Sequence, residues 1–272
     1  MPAQRYALLS AQDIKSLLEQ TPAPHVINLC TDAGRRCNLP GAVYLDYKQL
    51  VRPAPPVLGL LPDSATLSRV LSAIGLTPDA DVIAYDDEGG ARACRLLWTL
   101  DTCGHRGRLM LLDGGTQAWQ QAGFGYEPTA ATPVPTVYPI ETTATAHADK
   151  AYILAHLSDG TTQVLDTRSQ NEYDGSLPRA NRNGHIPGAI NVEWTKAMQS
   201  APGKPLKPLA DIAKLYADAG LDRNKEVIVH CHSHHRSAHS YFVLKLLGYP
   251  KVRAYSGSWS EWGNAPDTPV EK

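Results

Sequence analysis

"GLDRNKEVIVHCH", residues 220–232, and "GLTPDADVIAYDD", residues 75–87, are one segment written twice. In each copy a glycine closes a helical pattern, a polar turn follows, and a compact apolar run reads as a buried parallel strand. The repeat extends outward in both directions. "VINL" (26–29) answers "VLDT" (164–167), "LPGAVYLDY" (39–47) answers "IPGAINVEW" (186–194), and "DGGTQAW" (113–119) answers "SGSWSEW" (256–262). Leu67, Val70, Leu71 and Ile74 stand at helical spacing and stop at Gly75. Ile212, Leu215, Tyr216 and Ala219 do the same and stop at Gly220. Each set predicts one apolar helix face ended by a glycine in the left-handed conformation.

Alternating strands and helices predict an α/β fold: two tandem domains, each a mainly parallel sheet with helices on both faces and right-handed crossovers. The expected boundaries are residues 1–124 and 149–272. Between them, 125–148 is rich in Pro, Thr and Ala and reads as an extended surface linker.

Composition narrows the function. The 272 residues are 43% hydrophobic and 19% charged, with a formal net charge of −1. Near-neutrality argues against nucleic-acid or membrane-surface partners. With neither an apolar leader nor a spanning segment, the expectation is a cytoplasmic protein. Five irregularly spaced cysteines form no disulfide framework and no zinc knuckle, so reduced thiols are expected.

In open parallel sheets ligands bind beyond the carboxyl ends of the strands. There lies "CHSHHR", Cys231 to Arg236, between the strand "VIVH" and a helical pattern. A strand-to-helix loop gathers backbone N–H groups, and the helix adds its positive end. That field lowers a thiol pKa and stabilises an anion on sulfur. Arg236 adds fixed charge; His232, His234 and His235 add more when protonated, and Ser233 supplies a further amide.

Together "VLDTRSQNEYDG" (164–175), "NGHIPGAIN" (183–191), the Cys231 loop and "YSGSWSEWGN" (255–264) resemble the rhodanese family. The likeness is to tandem-domain thiosulfate sulfurtransferases, in particular bacterial forms with a histidine-rich loop. The resemblance covers nearly the whole chain. It implies that Cys231 takes the outer sulfur of thiosulfate as a persulfide, releases sulfite, and passes the sulfur to cyanide or a thiol. Acceptors in this class include thioredoxin-like and sulfur-carrier proteins, and no cofactor or metal is implied. The resemblance implies that the loop before "GHIPGA" binds the anion, through Arg182, the nearer to the anchored motif, in preference to Arg179, with Trp259 as a candidate substrate wall. In the first copy Asp86 replaces the cysteine, so that domain is expected to be non-catalytic, its acidic loop repelling an anionic donor.

Other readings differ in the loop. A Cys-x5-Arg phosphatase needs arginine where Ser237 stands, and Arg236 comes one residue early. A metal module would use Cys231 with His232, His234, His235 and His239, although ligands in one tight loop diverge. Mercaptopyruvate sulfurtransferases carry a small Gly- and Ser-containing loop, unlike this one. Asp166 reads as a turn-capping carboxylate, Arg168 and Glu172 as an i, i+4 ion pair, and His185 as a satisfied core imidazole.

Overall fold

The computed structural model describes residues 5–143 and 145–272. Twelve strands occur among them: β1 (Tyr6–Leu9), β2 (His25–Asn28), β3 (Val43–Tyr44), β4 (Arg52–Ala54), β5 (Val57–Leu60), β6 (Val82–Tyr85), β7 (Leu109–Leu112), β8 (His147–Ala148), β9 (Thr162–Asp166), β10 (Ile190–Asn191), β11 (Glu226–His230) and β12 (Val252–Tyr255). The α-helices are α1 (Ala11–Leu18), α2 (Ser64–Ala73), α3 (Ala91–Thr102), α4 (Gly115–Gln121), α5 (Lys150–His156), α6 (Gln170–Tyr173), α7 (Leu209–Asp218), α8 (Arg236–Leu246) and α9 (Ser258–Trp262).

The repeat read from sequence is the repeat of topology. One sheet runs β1-β7-β6-β2-β3 and the other β8-β12-β11-β9-β10, each with every neighbour parallel. The central strands β6 and β11 come from the two copies of the opening segment. Their residues Val82–Tyr85 and Val227–His230 are buried, as strands covered on both faces must be. In the first sheet Ala11 and Ile14 of α1 and Trp119 of α4 pack on one face with Ile83, Tyr85, Met110 and Leu112, and α3 covers the other. In the second, Ile153 of α5 and Trp259 and Trp262 of α9 pack with Val164, Ile228 and Tyr255, opposite α8.

The crossover helices follow their patterns. Asp63 caps α2 by accepting from the Thr66 N–H (2.7 Å), and the helix buries Leu67 and Leu71. α7 buries Ile212 and Tyr216. Gly75 (φ 75°) and Gly220 (φ 88°) take the left-handed conformation past the ends. Full burial of a Leu or Ile contributes about 1.5–3 kcal/mol, so these short helices are held by their apolar faces.

By packing, the chain divides into two units: Met1–Leu50, Pro62–Thr143 and Gln199–Leu206; and Val51–Leu61, Ala144–Met198 and Lys207–Lys272. The β4–β5 hairpin thus belongs by contact to the second unit although it lies within the first sequence copy. The Pro- and Thr-rich connection carries no regular structure over 129–143. It is nonetheless tied to the first unit: Ala131 N–H donates to Ala42 O, Thr136 N–H to Ser72 O and Glu141 N–H to Cys103 O. Tyr138 is buried, its hydroxyl 2.9 Å from His105 Nδ1.

Candidate active site

β11 ends at His230, Cys231 opens the loop, and Arg236 begins α8. The loop's main chain is held from one side by the start of α9. Cys231 and His234 N–H both donate to Ser258 Oγ (3.3 and 3.1 Å), while Trp259 N–H donates to Cys231 O (2.9 Å) and Ser260 N–H to His232 O (2.9 Å). The Ser233 and Ser237 N–H groups face the sulfur. Burial by itself would raise the thiol pKa, yet Arg236, the Ser237 hydroxyl and the Ser237 and Ser233 N–H groups bring it below the ordinary thiol value. The arrangement holds negative charge on Sγ.

Ser237 serves two partners. Its hydroxyl proton faces the sulfur, so its oxygen accepts from His234 Nδ1 at 2.8 Å. His234 is buried and left-handed (φ 52°). His232 is half-buried; burial first, with the nearby arginines, lowers its pKa against the pull of Glu172. His235 stands at the N-cap of α8. Among the described residues no three His, Cys, Asp or Glu side chains gather so as to hold a metal ion.

Arg236 is ion-paired as well as close to the sulfur. Its Nη1 and Nη2 donate to the Glu172 carboxylate at 2.6 and 2.9 Å, and its guanidinium also hydrogen-bonds Cys231. Glu172 sits on α6, whose capping box with Ser169 fixes the carboxylate. Burial works against ionisation there, but Arg236 and Ser169 bring its pKa down to about 2. The expected Arg168–Glu172 pair is not formed. Arg168 turns instead to Asp166, Nε and Nη2 lying 3.0 and 2.6 Å from Oδ2, with both side chains at most 1% exposed. The reason is local: Asp166 Oδ1 already accepts the Arg168 N–H (3.0 Å), so the turn aims the guanidinium back at its own cap. Arg168 also donates to Gly184 O and lies 4.3 Å over the Trp259 ring. His185 stacks on Tyr173 and its Nδ1 meets Tyr173 O at 3.0 Å.

The three substrate-binding candidates separate. Arg182 spends its guanidinium on the Trp262 (2.8 Å), Ala265 and Thr268 carbonyls, bracing the C-terminal segment. Trp259 is 1% exposed and occupied by Arg168. Arg179 is about half exposed, with Nε 3.9 Å from Glu172 Oε1. Of the three it alone places an exposed cation beside the Glu172–Arg236 pair. Sequence reasoning did not single out Glu172, Ser237 or Ser258 as site residues. Ser258 lay inside the quoted "YSGSWSEWGN", and Ser237 occupied the position that distinguished this loop from a phosphatase.

Cys231 is itself only 1% exposed, while His232, Ser233, His235 and Arg236 are half-buried. The β4–β5 hairpin lies on the loop. Leu58 N–H donates to Ser260 Oγ (3.1 Å), and Gly59 approaches so closely that a Cβ there would sit 2.2 Å from Ser233 O.

In the first unit the corresponding loop is filled from within. The Asp86 carboxylate is fully buried and accepts from the N–H groups of Glu88 (2.9 Å), Gly90 (2.8 Å), Arg92 (2.8 Å) and Ala93 (2.9 Å). Its charge therefore points into the loop amides; the neighbouring Asp87 binds Thr31 N–H and Oγ1 (2.8 and 2.6 Å). All five cysteines are free. Burial pushes the Cys30 and Cys94 thiols far up and Cys103 to about 12, so Cys231 differs from them in sign.

Comparison with known proteins shows the family. The profile of the Rhodanese-like domain matches residues 6–122 and 149–265. The chain is 42% identical over 234 residues to a thiosulfate sulfurtransferase of Pseudomonas aeruginosa, covering 86% of this chain and 85% of that one. It is 40% identical over 236 residues to a thiosulfate sulfurtransferase of Azotobacter vinelandii, with 86% and 85% covered. Among solved structures, an anaerobic ergothioneine biosynthesis enzyme from Chlorobium limicola superposes with a TM-score of 0.85 at 23% identity, over 97% of this chain and 70% of that one, a likeness of fold. With one domain match on each sheet and relatives aligned along most of its length, the chain belongs to the rhodanese family, as two tandem rhodanese-like domains.

Proposed function

We propose that the protein is a thiosulfate sulfurtransferase that carries sulfane sulfur on Cys231. The observation that supports this most is the sign of the Cys231 pKa: alone among the buried cysteines it is drawn down, by Arg236, the Ser237 hydroxyl and two loop amides. The thiolate attacks the outer sulfur of thiosulfate. A sulfur–sulfur bond forms to Cys231, the bond to the sulfonate sulfur breaks, and its electron pair leaves with sulfite. The persulfide anion then occupies the cradle that held the thiolate, where the same N–H groups stabilise it without reorganisation. Cyanide or a thiolate attacks the terminal sulfur, and the electron pair returns to Cys231 as thiolate. Charge is conserved in both steps.

Arg179 is the residue we assign to drawing in the anionic donor, since Arg236 is already shared with Glu172. Because the sulfur is buried, donor and acceptor enter past the half-buried side of the loop, between His232 and Arg236. Free thiols throughout fit a reducing compartment such as the cytoplasm. Among the described residues no helix is long and apolar enough to cross a membrane. Thiosulfate added alone should release one equivalent of sulfite and add one sulfur atom to the mass of the protein, which cyanide then removes as thiocyanate. Cys231→Ala should do neither while remaining folded; turnover unchanged in that variant would overturn the proposal.

A further inference from the structure

Ser258 has an unusual backbone and a fully used side chain. Its φ is 51°, left-handed, a conformation that serine adopts only under local constraint, and it is fully buried. Its hydroxyl donates its one proton to Tyr255 O (2.8 Å), and both lone pairs accept, one from Cys231 N–H and one from His234 N–H. No hydrogen-bonding capacity is left over.

The two amides it takes both belong to the Cys231 loop. With Cys231 and His234 N–H tied to Ser258, the Ser233 and Ser237 N–H groups are left to face the sulfur. The His234 amide is also the anchor of that residue's own left-handed turn, which alternates the direction of successive N–H groups into a concave cradle.

The first unit supplies an internal control. Gly115 stands where Ser258 stands and has the same backbone (φ 53°), and Thr116 N–H donates to Asp86 O at 3.2 Å as Trp259 N–H donates to Cys231 O at 2.9 Å. There the residue is glycine, a Cβ would lie 2.1 Å from Asp86 O, and the position offers no hydroxyl to the loop. The Asp86 carboxylate organises those amides from inside. A strained serine thus occurs where the loop carries a thiol and must keep its cradle open for a second sulfur atom, and glycine where the loop carries its own anion.

We propose that Ser258 is a positioning residue for sulfur transfer, its hydroxyl setting which loop amides face Cys231 and so holding the loop ready for the thiolate and the persulfide. The inference rests on Cys231 as the sulfur-carrying thiol. The test uses the full chain with Ser258→Gly, which accepts φ 51° without strain, and Ser258→Ala, which keeps the strain; both lose the hydroxyl. Thiolate absorbance is titrated across the neutral range, with Cys231→Ala as the blank, and the sulfite burst from thiosulfate is followed against pH. Both variants, folded by circular dichroism, should titrate higher than the parent by about one pH unit or more, with a burst at neutral pH slowed roughly ten-fold. A Ser258→Gly protein with the parent's thiolate midpoint and burst profile would overturn the inference, because a role confined to backbone conformation predicts that result. If the parent shows a depressed thiolate but releases no sulfite, the sulfur-transfer reading fails while the titration still decides the role of Ser258.

Discussion

Replacing Arg236 by Gln separates what the arginine does for the fold from what it does for the sulfur. Glu172 is 3% exposed and Arg236 24%, so the pair is largely removed from water. A carboxyl held at about 2 rather than the 4.5 of an open chain is linked to about 3 kcal/mol of stability. That contribution is fully present above pH 4.5 and is lost as pH falls through about 2, because the folded-state pKa is the depressed one. Without the guanidinium, Glu172 keeps Ser169 and the more distant Arg179, so the variant should lose about 2–4 kcal/mol at neutral pH, near the lower end for breaking a buried pair. Urea denaturation measures this, and the acid-induced loss of stability expected of the parent should flatten in the variant. The double variant Glu172→Gln with Arg236→Gln, which leaves neither member of this pair as an unpaired charge, should recover to within about 1–2 kcal/mol of the parent. Separately, loss of the cation raises the Cys231 pKa, so the sulfite burst should fall at neutral pH and return in part at alkaline pH. An Arg236→Gln protein within about 1 kcal/mol of the parent, with its acid profile unchanged, would refute the reasoning.

Asp86→Ala strips the acceptor from four loop N–H groups, of which those of Gly90 and Ala93 are buried. It should cost the first unit about 2–4 kcal/mol in urea while sulfite release per folded molecule stays at the parent level; a stability within about 0.5 kcal/mol of the parent would contradict the carboxylate's role. Gly59→Ala forces a Cβ to within 2.2 Å of Ser233 O, so the hairpin backbone must lift from the loop. Iodoacetamide should then label Cys231 several-fold faster, and an unchanged labelling rate would show that the hairpin does not limit access.

The repeat made the fold legible. With "VIVH" and "VIAY" as equivalent buried strands, parallel pairing and the position of Cys231 at a strand's carboxyl end follow from the rules of α/β packing, whereas the order of the strands in each sheet does not. Side-chain partners were less accessible. Arg168 and Glu172 have the spacing of a helical pair, but α6 begins only at Gln170, so Arg168 lies in the turn before it and pairs with Asp166. Arg182 and Arg179 are three residues apart in one loop, and nothing in that spacing tells which is consumed by carbonyls of the distant C-terminal segment. Nor does sequence order reveal that Val51–Leu61 packs with the second unit. These are long-range contacts, set by tertiary packing.

The two loops show how one backbone device takes opposite uses. Each gathers several N–H groups at the start of a helix behind a central strand, and an anion at their centre satisfies those that are out of reach of water. In the first unit a side-chain carboxylate fills the space permanently, which accounts for its burial and for the absence of any free amide for a ligand among those it binds. In the second the anion is a thiolate, one atom at the end of a short side chain, and the cradle is kept in shape from outside by Ser258, Trp259 and Ser260. A thiolate can lengthen by a sulfur atom and shorten again; a carboxylate cannot. Installing cysteine at position 86 would therefore not be enough to make the first unit catalytic. Gly115 offers no hydroxyl to organise the emptied loop, and burial with Asp87 beside it would push a new thiol upward, as both do at Cys30. Asp86→Cys should consequently titrate above the ordinary thiol range and take up no sulfur from thiosulfate, with Cys231→Ala as the background; a second persulfide in that protein would show that the outer brace is dispensable.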